Sequence, residues 1–184
     1  MDAIVIGDGP GGLSAALFLA KAGLKVVVYG QDKTAMNWAL LKNYLGIPEI
    51  LGSDFQRTAR AQVERFGAAL TNVRVESVEK KGDGFLVTLE DGKQESARFL
   101  ILSEGKSPRL AQQLGLRFDE KNGVEVDGGN KTSVPGVYAV GRLVRPERSQ
   151  AIISAGDGAA AAVDILSILN GDPVQDWDAP PENE

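Results

Sequence analysis

With 184 residues, 43% of them hydrophobic, the chain can bury the core of one domain or a small split one. It contains neither cysteine nor histidine. Disulfides, thiol redox chemistry, Cys/His zinc sites and imidazole catalysis are therefore excluded within it, and any redox chemistry falls to a cofactor. Its formal net charge of −5 argues against nucleic acid or an anionic membrane surface as partner.

The first predicted element is an apolar strand, Ala3-Ile4-Val5-Ile6, which feeds straight into Gly7-Asp8-Gly9-Pro10-Gly11-Gly12. A strand, then Gly-x-Gly-x-x-Gly, then a helix is the pattern of a dinucleotide site. Gly7 permits the tight turn, Gly9 lets the backbone approach a pyrophosphate, and Gly12 lets helix and sheet pack closely. The helix N-terminus then points at the phosphates. Pro10 suits the first helical turn, where its missing N–H costs nothing. The bland alternative is a structural glycine turn; the flanking elements favour the nucleotide. The helix is predicted over residues 11–22, with Leu13, Ala16, Leu17 and Ala20 on one face and Gly23 closing it. A buried strand follows over 25–29, completing a right-handed βαβ unit. Met1-Asp2 leads directly into the first strand, so no cleaved leader is expected. No apolar run was found that approaches a membrane span, and a cytoplasmic protein is expected.

Residues 31–52 read as a long mixed loop with a short helix near 38–41. Ser53-Asp54-Phe55-Gln56 matches a capping box opening a helix to about residue 66. A strand is predicted over 70–75. Two Asp-Gly turns, Asp83-Gly84 and Asp91-Gly92, separate β-rich segments at 77–81, 85–89 and 95–99, a three-stranded antiparallel meander. Residues 99–102 continue as a buried strand, 103–122 are irregular or partly helical, 124–126 form a short strand and 137–140 a buried one. A final helix runs from about Ala151 to Asn170 and stops at Gly171-Asp172-Pro173. Residues 175–184 read as a loose acidic tail.

Three collinear motifs carry a family resemblance. Besides the N-terminal glycine motif, Asn43-Tyr44-Leu45-Gly46-Ile47-Pro48-Glu49 resembles the Asn-x-Pro-Gly-Phe-Pro segment of thioredoxin reductases. Thr132-Ser133-Val134-Pro135-Gly136-Val137-Tyr138-Ala139-Val140-Gly141 is similar to their second FAD motif, Thr-Ser-x-Pro-Gly-x-x-Ala-x-Gly-Asp. Gln150-Ala151, with Ala155-Gly156-Asp157-Gly158-Ala159-Ala160, resembles their closing Arg-Gln-Ala and Ala-x-Gly-x-Gly stretch. The resemblance implies an α/β fold: a Rossmann-like FAD-binding domain with a parallel central sheet, an antiparallel three-stranded meander and flanking helices. In the family a nicotinamide domain bearing the Cys pair is inserted between two halves. Here the halves, about 1–103 and 124–172, join directly within one domain spanning 1–172, followed by the tail 173–184. No second Gly-x-Gly-x-x-Gly follows a strand.

The resemblance implies FAD as cofactor, with NAD(P)H as a transient electron donor or a separate electron-transfer protein as partner. It also implies a homodimer. Carried over residue by residue, Gly7, Gly9, Pro10 and Gly11 cradle the pyrophosphate, and Arg74 and Val75 lie on the adenine. Asn43 stands near the flavin and ribityl chain, Ser103 and Gly105 lie in the family's Ala-Thr-Gly segment, and Gln150 and Ala151 meet the isoalloxazine edge. Gly141 and Arg142 close the second FAD motif. No residue is assigned a catalytic role, and no metal is expected.

Three positions depart from the family. The acid that grips the adenosine ribose falls on Gly30, with Asp32 two residues on as a substitute; a glutamate restored at 30 is expected to strengthen the hold. The Asp of the second motif is Arg142, which could pair with phosphates; Arg142, Arg145 and Arg148 together read as an anion site or as a solvated loop, with position favouring the anion site. Glu104 stands beside the site and is read as a solvent-facing loop charge. Trp38 could cover the flavin or pack the long loop. The rival reading is a non-catalytic dinucleotide-binding or regulatory module whose FAD contacts have decayed.

Overall fold

The computed structural model describes residues 1–180; the end of the acidic tail, 181–184, lies outside the described residues. Five short apolar strands build a parallel sheet: β1 (Ala3–Ile6), β2 (Val26–Tyr29), β5 (Ala69–Thr71), β9 (Phe99–Leu102) and β12 (Val137–Ala139). Their order is β12-β9-β1-β2-β5, and every pairing is parallel. Alternation sends their side chains to two cores. Ile4, Val27 and Leu100 join one, while Val5, Val28 and Ile101 join the other. Both faces are covered, which is why the strands read as continuous apolar runs rather than alternating ones.

One face carries two helices, α1 (Pro10–Lys21) and α4 (Ala151–Asn170), packed against each other and supplying Leu13, Leu19, Ala161 and Ile165 to the core. The other face carries the meander of β6 (Val75–Lys81), β7 (Gly84–Leu89) and β8 (Gln94–Ala97), whose Phe85, Val87 and Leu89 are buried. Helix α2 (Gly52–Arg65) flanks α1. A short helix, α3 (Arg109–Gln113), and the hairpin β10 (Phe118–Asp119) and β11 (Gly123–Val124) connect β9 to β12. This is the mixed α/β architecture expected from the sequence.

Several local expectations are corrected. The long loop contains a 3₁₀ turn at Ala35–Trp38, capped by the Thr34 hydroxyl, and a hairpin of β3 (Leu40–Leu41) with β4 (Ile50–Leu51). Helix α2 starts at Gly52 with no side-chain cap, so the capping box does not form; Gln56 turns inward instead. The strand expected over 70–75 is two. β5 ends at Thr71 and β6 starts at Val75 in a different sheet, because Arg74 and Glu90 tie the chain to the meander. Helix α4 does have the length and apolarity of a membrane span, which the sequence reading denied. It packs as a core helix: Ala161, Ala162 and Ile165 are buried, and its Asp157 and Asp164 bond within the fold. The described part of the tail is not free, since Asp176 and Asp178 pair with Lys21 at 2.6 Å each.

Candidate functional site

The carboxyl ends of β1, β2 and β9 open onto one cleft of about 750 Å³, within the roughly 300–1,000 Å³ of small-molecule and cofactor sites. It lies where the sheet order turns, β2 leaving β1 on one side and β9 flanking it on the other. Ligands of open α/β sheets bind at such a point. Gly7 adopts φ +103°, and a Cβ there would meet the Ser103 carbonyl at 2.1 Å. Glycine is thus required to turn the chain out of β1 beside the end of β9.

Two helix N-termini converge on this cleft. Neither α1 nor α4 has a side-chain cap, so first-turn amides remain free for an anion. Gly9, Pro10 and Gly11 line the cleft from α1; Gln150, Ala151 and Ser154 line it from α4.

The charges point the same way. Although the chain is acidic overall, Lys33, Arg74, Lys106, Arg109 and Arg142 line the cleft against only two acids, Asp8 and Glu104. Both acids are committed. Asp8 is ion-paired to Arg60. Glu104 accepts the Leu110 and Ala111 amides at 2.9 and 3.0 Å, capping α3. It is therefore not the solvent-facing loop charge expected. Burial raises its carboxyl above the usual range, and those amides partly counter the rise. Of the cations, Arg109 donates to the carbonyls of Val75 and Glu76. The buried Nε of Arg142 has no partner among the described residues, and a buried donor left unsatisfied is costly. Burial, reinforced by Glu95 of the meander, raises the Tyr29 hydroxyl well above the ordinary phenol range, so it stays neutral.

Of the residues carried over from the resemblance, thirteen line the cleft: Gly7, Gly9, Pro10, Gly11, Gly30, Arg74, Val75, Ser103, Gly105, Gly141, Arg142, Gln150 and Ala151. Asp32 and Asn43 do not. Asn43 Nδ2 donates to Gln150 Oε1 at 3.0 Å, tying the β3–β4 hairpin to the start of α4. Asp32 has φ +53°, gives its amide to Asp8, and lines a separate groove beside Arg60. Three other residues stay out of the cleft. Arg145 is spent on Asp157, whose carboxylate also takes the Gly141 amide. Arg148 is exposed outside the cleft. Trp38 is 91% exposed and neither lines the cleft nor packs the loop.

The sequence reading missed the network beneath the glycine loop. Asp8 Oδ2 accepts the Asp32 amide at 3.0 Å and pairs with Arg60, and the Asp8 carbonyl accepts from Gln56. The only advance signal was Gln56 and Arg60 sharing one face of α2, four residues apart.

Residues 1–46 and 43–158 match the family described as pyridine nucleotide-disulphide oxidoreductase. A thioredoxin reductase of Helicobacter pylori strain J99 is 34% identical over 116 residues, covering 59% of this chain and 37% of that protein. One from Streptomyces clavuligerus is 39% identical over 118 residues, covering 61% and 36%. The chain thus spans little more than a third of the length of these relatives. A solved thioredoxin reductase from Gloeobacter violaceus shares the fold, with a TM-score of 0.87 at 19% identity, covering 97% of this chain and 98% of that one.

Proposed function

Because the chain belongs to the pyridine nucleotide-disulphide oxidoreductase family, we propose that it is an FAD-binding flavoprotein of oxidoreductase type, related to thioredoxin reductases. The observation that carries this reading is the cationic cleft, which joins two uncapped helix N-termini to a buried Arg142 Nε that has no partner among the described residues. That combination fits a diphosphate flanked by an adenosine arm and a flavin arm. Gly7, Gly9, Pro10 and Gly11 hold the pyrophosphate, with Arg142 beside it. Arg74 and Val75 receive the adenine. Ser103 and Gly105 border the cofactor where β9 ends. Gln150 and Ala151 meet the flavin edge, where the positive end of α4 favours the negative charge of a reduced ring. Asn43 acts through Gln150, orienting its amide. When bound, the flavin supplies hydride and electron transfer.

In this reading residues 1–172 form one domain whose halves, 1–103 and 124–172, are joined without a nicotinamide domain, followed by the tail. The short α3 and the β10–β11 hairpin are what the structure places between β9 and β12. Reducing equivalents come from free NAD(P)H or from a separate electron-transfer protein. The protein is cytoplasmic and pairs with a second copy, for which Leu40, Leu45 and Leu51 of the exposed β3–β4 hairpin, with Trp38 in the turn before it, offer apolar surface.

The test is the visible absorbance of the purified chain and the flavin it releases on denaturation. FAD is expected, bound non-covalently, with FMN held poorly because it leaves the adenosine half of the cleft empty. NADPH-driven reduction of thioredoxin by this chain alone is not expected, since it has no cysteine. A colourless protein that ignores added FAD overturns the reading in favour of a decayed binding module.

A further inference from the structure

Gly30, at the end of β2, removes the acid that a dinucleotide site uses to hold the adenosine ribose. The structure brings a carboxylate to the same place from the glycine loop. A Cβ built on Gly30 would stand 2.2 Å from Cγ of Asp8 and 2.5 Å from its Cβ and Oδ2. The Asp8 side chain therefore fills the space in which a side chain at position 30 would begin. Both residues line the cleft.

A carboxylate that is only 5% exposed is costly unless paired and hydrogen-bonded. Here Oδ2 carries the pairing, from Arg60 and the Asp32 amide, and Arg60 is itself held by Asn72 Oδ1 at 2.9 Å. Gln56 braces the Asp8 backbone. Oδ1 accepts no bond among the described residues and is not sealed from solvent. It is a charged acceptor on the adenosine side of the cleft, held in place from behind.

We propose that Asp8 and Gly30 have exchanged roles: Asp8 is the ribose-binding carboxylate of this chain, with Arg60 and Gln56 as its positioning residues. This rests on the FAD reading above. It also reverses the expectation for position 30. A glutamate added there has no room while Asp8 remains, and it weakens binding.

The experiment measures affinity for FAD by flavin fluorescence, and for ADP and 2′,3′-dideoxy-ADP by displacement. The wild type is expected to prefer ADP by about tenfold, the worth of a charged hydrogen bond. Asp8→Ala abolishes that preference. A carboxylate that only braced the loop would weaken both nucleotides equally and leave the preference intact. Gly30→Glu alone weakens FAD binding, and Gly30→Glu combined with Asp8→Gly restores both affinity and ribose preference. A wild type that takes up no FAD overturns the cofactor reading and the ribose contact with it. A wild type that binds FAD but shows no ribose preference, or an Asp8→Ala protein that keeps one, overturns the exchange alone.

Discussion

A Cβ placed on Gly158 of α4 would lie 2.0 Å from the carbonyl oxygen of Gly11 in α1. The two helices that present their N-termini to the cleft cross at backbone contact, and only glycine at 158 permits it. Gly156, two residues earlier, faces open space.

Gly158→Ala is therefore expected to destabilise the fold by about 1–3 kcal/mol, the usual cost of forcing atoms into a packed interior, and to loosen cofactor binding. Gly156→Ala should be neutral or stabilising by up to about 1 kcal/mol, since it removes only backbone freedom in a helix. Urea midpoints of the two variants check this. Equal effects would deny the close crossing.

Arg142→Ala should weaken FAD binding by about 1.5–3 kcal/mol, the worth of a charge-assisted bond to phosphate. Arg142→Lys should recover only part of it, because a point charge replaces a planar fork. Arg148→Ala, outside the cleft, is the control and should change nothing. Dissociation of FAD followed by fluorescence gives the answer, and unchanged release from Arg142→Ala refutes the role.

The pH dependence of stability carries a signature of Glu104. Burial raises its carboxyl above the usual 4.5, so the folded chain keeps a proton that the unfolded chain has already released. Stability from this group is thus present below the unfolded value and is lost as pH rises through the folded one. Glu104→Gln should flatten that decline. Denaturation midpoints of both proteins, from the acid range to neutrality, test it; a wild type that gains stability relative to the variant over this range would contradict the sign.

Leu45 is 89% exposed at the tip of the β3–β4 hairpin, and Trp38, in the 3₁₀ turn that leads into it, is 91% exposed. If this face joins two copies, iodide quenching of Trp38 in a Trp177→Phe background should fall as protein concentration rises. Leu45→Glu should restore quenching and yield a monomer by light scattering. Quenching that is independent of concentration in the unmutated hairpin removes it as the interface.

Much of the architecture could be read along the chain. The buried strands announced themselves as short apolar runs, the glycine motif marked the turn into α1, and the Asp-Gly pairs marked the meander. The bounds of α4 were plain because Gly171, at φ +81°, ends it in a conformation other residues avoid. These are local signals: periodicity reports which face is buried, and glycine reports where the backbone must turn. Thirteen of the fifteen residues that the resemblance carried over line the cleft, because the motif and strand ends meet wherever a βαβ sheet forms.

Tertiary packing decided the rest. The change of sheet between Thr71 and Val75, the inward turn of Gln56, the capping of α3 by Glu104 and the capture of Arg145 by Asp157 all depend on partners that local pattern does not name. Asp8 is the clearest case. Its bonds reach Asp32, Gln56 and Arg60, 24 to 52 residues away, and its carboxylate stands where Gly30 leaves room. Hydrophobic pattern determines which segments are buried. Which polar atoms then meet is settled only when the elements close on one another and each buried charge must find its counterpart.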